Sequence, residues 1–327
     1  MKTKKTAGGW AIAGLALAGI AGADMAALRG TIRVDGSSTV FPITEAVAEE
    51  FGAVARGVRV TVGISGTGGG FKRFCVGETD INDASRPIQS KEASTAQERG
   101  ITFIELPVAF DGLSVVVNPS NSFVDHLTVA ELRAIWEPSS TVRTWRDVRP
   151  AWPDREIKLY GPGTDSGTFD YFTEVICGRA QASRADYTAS EDDNTLVQGV
   201  AGDADALGYF GYAYYVANRE QLKVVPIDGG NGPVTPSEET IRTGTYAPLS
   251  RPIFIYVSGE ASRRPEVAGF VEFYLEHVGE LATEVGYIAL PETVYALARA
   301  RFADRVTGTV YGRGSAGRSL EELFARR

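Results

Sequence analysis

The chain has 327 residues, enough for two ordinary domains with sizeable cores, and its 43% hydrophobic and 23% charged residues are the mix of a globular protein. A formal net charge of −8 argues against a nucleic-acid partner, whose phosphates need a cationic face. Two cysteines are too few for a disulfide scaffold or a Cys-rich metal site, and two separated histidines, His126 and His277, point away from histidine-based metal or triad chemistry, so no cofactor is expected.

In chain order, the first segment reads as an export label. Met1-Lys2-Thr3-Lys4-Lys5 gives a positive start, residues 10–22 form an apolar run of thirteen, and small residues follow around Ala21-Gly22-Ala23. This is the pattern of a secretory signal peptide over residues 1–23. The run falls short of the roughly 20 apolar residues of a spanning helix, and no Cys stands at its end to carry a lipid. A soluble periplasmic protein is therefore expected.

Beyond Ala23, short β-branched runs alternate with helical stretches, which implies an α/β protein with parallel strands and crossover helices. Strands at 31–34, 58–62, 80–84 and 101–107, with helices at 39–51, 69–76 and 91–98, make a first block. A second block opens at 111–119 and contains a strand at 157–160 and a helix at 166–176. A Gly/Pro/Thr-rich stretch at 228–248 precedes a strand at 252–257. An amphipathic helix at 265–277 follows, with Val267, Phe270, Val271, Tyr274 and Leu275 on one face. No tandem repeat occurs, which excludes a solenoid. Asp192 and Asn194 open a further helical run, and the aromatic cluster from Tyr209 to Tyr215 reads as core.

Three loops, each at a strand-to-helix junction, carry the chemistry. The first, Asp35-Gly36-Ser37-Ser38-Thr39-Val40-Phe41-Pro42, offers Ser38, Thr39 and the Val40 amide. The second, Gly63-Ile64-Ser65-Gly66-Thr67-Gly68-Gly69-Gly70, offers Ser65, Thr67 and Gly68. The third, Gly161-Pro162-Gly163-Thr164-Asp165-Ser166-Gly167-Thr168-Phe169, offers Asp165, Ser166, Gly167 and Thr168. A single Ser or Thr at a helix start is ordinary capping. Three hydroxyl-bearing, Gly-rich helix N-termini together read as a cage for a tetrahedral oxyanion, because glycines let amides converge and the helix dipole adds partial positive charge. A Walker loop would need Lys-Ser or Lys-Thr where Gly70-Phe71-Lys72-Arg73 follows, and the Rossmann fingerprint lacks its final glycine at Phe71. A Gly-x-Ser-x-Gly elbow is missing from all three loops, so binding without catalysis is expected.

The succession Gly-Ser-Ser-Thr-Val-Phe-Pro, the loop from Ser65 to Gly70, Asp80-Ile81-Asn82-Asp83-Ala84-Ser85-Arg86-Pro87-Ile88, and Asp165-Ser166-Gly167-Thr168 resembles the periplasmic phosphate-binding proteins of ABC phosphate transporters. The resemblance extends over about residues 31–289. It implies a bilobal type II periplasmic-binding fold, with residues 31–110 and 252–327 as lobe I, residues 111–251 as lobe II, and one orthophosphate in the cleft. It also implies that Thr39, the Val40 amide, Thr67, Ser166, Gly167 and Thr168 bind the anion, with Ser38 and Ser65 beside them. An inner-membrane ABC permease would be the partner of a monomeric receptor. Two positions depart from the family pattern. Arg86 stands where an Asp is usual, and Pro162 stands where an Arg usually precedes the third loop. Arg86 is then expected to supply the guanidinium, by a bidentate contact to two phosphate oxygens. Asp165, alternatively a helix cap, is expected to accept the phosphate proton. Another tetrahedral oxyanion (sulfate, molybdate or a phosphonate) or a secreted phosphatase are the competing readings. Cys75 and Cys177 lie toward the far ends of helices aimed at one anion from opposite lobes, too far apart to pair.

Overall fold

The computed structural model describes residues 25–164, 166–190, 192–312, 315 and 318–325. The signal segment and Asp165 lie outside the described residues. Among the described residues no helix is long and apolar enough to cross a membrane.

The chain begins with β1 (Gly30–Gly36), α1 (Phe41–Val54), β2 (Val58–Ile64), α2 (Gly66–Phe74), β3 (Ile81–Ala84), α3 (Ser90–Glu98) and β4 (Phe103–Val117). Its middle comprises β5 (Leu127–Thr128), α4 (Val129–Trp136), α5 (Trp145–Val148), β6 (Lys158–Pro162), α6 (Gly167–Cys177), β7 (Thr188–Ser190), α7 (Asp193–Gly202), β8 (Ala206–Gly211) and α8 (Tyr212–Ala217). After β9 (Lys223–Val224), β10 (Ile227–Asp228), β11 (Pro233–Val234) and α9 (Glu238–Arg242) it returns through β12 (Ser250–Ser258). It then continues into α10 (Pro265–Glu284), α11 (Glu292–Ala303) and α12 (Leu320–Phe324).

The main sheet runs β2-β1-β3-β12-β4-β8-β6-β7, with β9 beside β4. β1 is parallel to β2 and β3, and β6 is parallel to β7 and β8, as α/β crossovers require. At the centre, β12 runs antiparallel to β3 and β4 because it carries the chain back from the middle block. The sheet is therefore mixed, where the sequence pattern implies parallel strands.

β4 also differs from the sequence reading, which divides it in two. It is a single strand of 15 residues, all buried. Pro107, which has no amide for a ladder, sits where the pairing with β12 shifts between Ile253 and Phe254, so the bulge absorbs it. Up to Gly112, β4 pairs with β12, and from Leu113 it pairs with β8. The same strand thus belongs to both ends of the sheet.

Each end has its own apolar packing. In α1, Ile43, Val47 and Phe51 recur every fourth residue and are buried; Phe51 meets Phe270 and Phe273 of α10 edge-on at 5.3 and 5.5 Å. At the other end, Trp136 packs edge-on against Phe172 and Tyr209, and those two rings stack at 3.7 Å. Tyr209 and Phe210 are core, whereas Tyr214 is exposed.

Cys75 closes α2 and is buried, Cys177 ends α6 and is half-buried, and both are free. Burial pushes both thiols up to about 11. Unfolded without reductant, the protein is expected to present both thiols to Ellman's reagent; a Cys75–Cys177 peptide in a digest would contradict this placement.

Candidate functional site

β1, β2 and β3 end side by side at Gly36, Ile64 and Ala84, so the loops that follow them share one edge of the sheet, where α/β proteins place their ligands. The first loop is held from within. The Ser37 hydroxyl accepts the Thr39 amide at 3.2 Å, and the Ser37 carbonyl accepts the amides of Val40 and Phe41. The Val40 amide is therefore spent on the turn. Ser38 is half-buried in it, and Thr39 is buried with its carbonyl accepting the Tyr287 hydroxyl at 2.6 Å.

The second loop opens α2, which has no side-chain cap and begins at Gly66 with φ +72. Ser65 is engaged beside this opening: its hydroxyl donates to Asp35 at 2.7 Å, and Arg73 binds the same carboxylate oxygen at 2.8 Å. Thr67 is tied to Ser85, with 2.9 Å between the hydroxyls and 3.1 Å from the Ser85 amide to Thr67 Oγ1. Arg86 lies alongside Gly68, where an added Cβ would stand 3.7 Å from Nη2. Its fork, however, grips Glu92 at 2.8 and 2.9 Å, with the guanidinium over the Phe71 ring at 5.5 Å. A carboxylate of its own neighbourhood already satisfies the charge that the sequence assigns to an anion.

In the third loop, Ser166 caps α6 by accepting the Thr168 amide at 3.2 Å, and Gly167 is buried. Gly167 is pressed against the first loop: a Cβ on it would stand 2.3 Å from the Thr39 amide nitrogen and 2.4 Å from Thr39 Oγ1. The structure thus brings the first and third loops together, from opposite ends of the sheet.

At that meeting point stands Arg251, which the sequence reading does not single out. Its side chain is 12% exposed. Nη2 is 3.4 Å from Thr39 Oγ1, the guanidinium carbon lies 3.4 Å from the centroid of the Tyr171 ring, and Nε is 3.7 Å from Asp111 Oδ2. Arg251 and Asp111 are opposite each other in the β12–β4 ladder. Arg251 Nε and Asp111 Oδ2 are buried without a hydrogen-bond partner among the described residues, so the pair keeps hydrogen-bonding capacity in reserve. Burial pushes the Asp111 carboxyl up, and Arg251 opposes that shift. The available sequence signal is a charged residue beside a Gly or Pro in each of the two segments that form β4 and β12, Asp111 before Gly112 and Arg251 before Pro252. Ser37 and Ser85, to which the sequence reading gives no role, hold the first loop and the Thr67 hydroxyl. Asn194 is engaged locally: its amide and side chain both donate to Asp192, at 2.9 and 3.1 Å.

A family profile described as "PBP superfamily domain" matches residues 21–277. "Protein SphX" of Synechocystis sp. is 50% identical over 312 residues, 94% of this chain and 92% of that protein. "Phosphate-binding protein PstS" of Staphylococcus saprophyticus is 39% identical over 284 residues, 86% of this chain and 87% of that protein. The crystal structure of a possible phosphate binding protein from Planctomyces limnophilus matches with a TM-score of 0.82 and 52% identity, covering 86% of this chain and all of that one.

Because a Cβ at position 167 would collide with backbone at Thr39, Gly167→Ala is expected to hold the two loops apart. Small-angle scattering should then give the variant a larger radius of gyration than the parent. Equal radii would contradict the close approach.

Proposed function

We propose a function from one premise: the chain belongs to the PBP superfamily and, within it, to the phosphate-binding proteins. It has their bilobal type II fold and binds inorganic phosphate for uptake by an ABC transporter. It works as an exported, monomeric receptor in the periplasm, receiving phosphate and delivering it to an inner-membrane permease, and it is a binder rather than a catalyst. Lobe I comprises residues 31–110 and 252–327, lobe II residues 111–251, and the two strands that cross between them are β4 and β12.

The observation that carries this reading is the Arg251 guanidinium, on a side chain only 12% exposed, where Thr39 and Gly167 meet. A dianion taken from water needs both charge and fixed donors, and the net charge of this acidic chain supplies neither. Arg251 provides the local charge. The donors are the hydroxyls of Ser38 and Thr39, Thr67 with Ser85, and the N-terminal amides of α2 from Gly68 and of α6 from Gly167, backed by Ser166 and Thr168. Arg86, with its fork on Glu92, borders this site and contributes less than Arg251. Ser65 supports the second loop through Asp35 rather than binding the anion itself.

Isothermal titration of the chain without residues 1–23, against phosphate, arsenate and sulfate, tests the reading. Phosphate is expected to bind at one site per chain. Arg251→Ala should weaken it by about ten- to a hundredfold, the range for a hydrogen bond to a charged group, and Arg86→Ala should cost less. An unchanged dissociation constant in Arg251→Ala would overturn the assignment of the charge. Binding of sulfate without phosphate would move the function to another oxyanion.

A further inference from the structure

Away from the three loops, a carboxyl side chain of β4 is buried completely in the centre of the sheet. Glu105 of β4 has no exposed surface, a costly place for a carboxylate unless donors surround it. They do: Oε2 accepts the Tyr256 hydroxyl at 2.6 Å and the Thr309 hydroxyl at 2.7 Å, and Oε1 accepts the Val310 amide at 2.8 Å. The Tyr256 oxygen in turn accepts the Ile88 amide at 2.8 Å. Ile88 follows Ser85, Arg86 and Pro87, the segment tied to Thr67 at the second loop. The Tyr256 ring also packs edge-on against Phe71 at 4.9 Å, and Phe71 carries the Arg86 guanidinium on its other contact. The segment around Thr309 is held independently of Glu105, since the Gly308 amide donates to Phe103 at 2.8 Å and its carbonyl accepts from Arg301 at 2.6 Å.

The geometry points to Tyr256 and Glu105 as positioning residues that couple the C-terminal segment at Thr309–Val310 to the anion loop at 85–88. Neither touches the anion. Each fixes the height of the Ile88 amide, and with it the hydroxyl of Ser85 and the fork of Arg86, so docking of the C-terminal segment sets the affinity of a loop in the cleft. The affinity part of this inference rests on the phosphate reading; the coupling itself does not.

Two conservative variants separate the cases. Tyr256→Phe keeps the ring on Phe71 and removes the hydroxyl, while Thr309→Val removes one donor to Glu105 on the C-terminal segment alone. Amide hydrogen exchange is expected to accelerate at Ile88 in both variants, with amides of β8 at parental rates. Phosphate titration should show a dissociation constant raised about threefold to tenfold in Tyr256→Phe, the span of one lost hydrogen bond, and raised less in Thr309→Val. Parental exchange at Ile88 in either variant, or faster exchange with an unchanged dissociation constant, would overturn the coupling to affinity. If the parent itself binds no phosphate, the functional reading falls, and exchange at Ile88 still decides whether the C-terminal segment holds the loop.

Discussion

A guanidinium is taken out of water only where something carries its charge, and the arrangement of this molecule's centre follows from how Arg251 is kept there. Asp111 stands opposite it on the neighbouring strand, which requires β4 and β12 to run side by side there. Tyr171 lies under the guanidinium plane, which fixes α6 against the start of β12, and its hydroxyl donates to the Pro248 carbonyl at 2.5 Å. A planar cation on an aromatic face with a carboxylate beside it is an arrangement that Lys would not reproduce. Thr39, in the loop after β1, is a further neighbour, so the guanidinium also joins the start of β12 to the first loop.

The glycines of the loops serve packing. Gly167 admits the Thr39 backbone, as its Cβ distances show. Gly70 lies in the second loop, yet a Cβ there would meet Asn82 Oδ1 at 2.1 Å and Gly36 Cα at 2.5 Å. It lets α2 settle onto the ends of β1 and β3. The hydroxyls divide. Ser37 and Ser166 satisfy their own turns, Ser65 joins Asp35 to Arg73, and Thr39 and the pair Thr67–Ser85 remain at the opening of the helices. An anion site in an acidic chain has to be local, resting on a few oriented groups and helix N-termini rather than on net charge.

The sequence showed the parts of the site whose chemistry is local. Strand, Gly-rich loop and helix follow one another within a dozen residues, so all three loops and the helices they open were legible. The amphipathic spacing of α10 was equally plain, although the helix continues to Glu284. What could not be read was tertiary. Pro107 looked like the end of a strand because its accommodation depends on a bulge opposite Ile253 and Phe254. Arg86 reads from the sequence as an unpaired cation because nothing in its neighbourhood on the chain marks Glu92 as the partner of its fork. Arg251 was silent because its meaning comes from Asp111, Tyr171 and Thr39, each remote in sequence and adjacent in space.

The most direct test of the central claim is a crystal structure with arsenate, located by the anomalous scattering of arsenic. The arsenic peak is predicted where the first and third loops meet, with arsenate oxygens within hydrogen-bond reach of Thr39 and of the Arg251 guanidinium. A peak in the cleft whose oxygens contact Arg86 and leave Arg251 without contact, or a peak outside the cleft, would contradict the account.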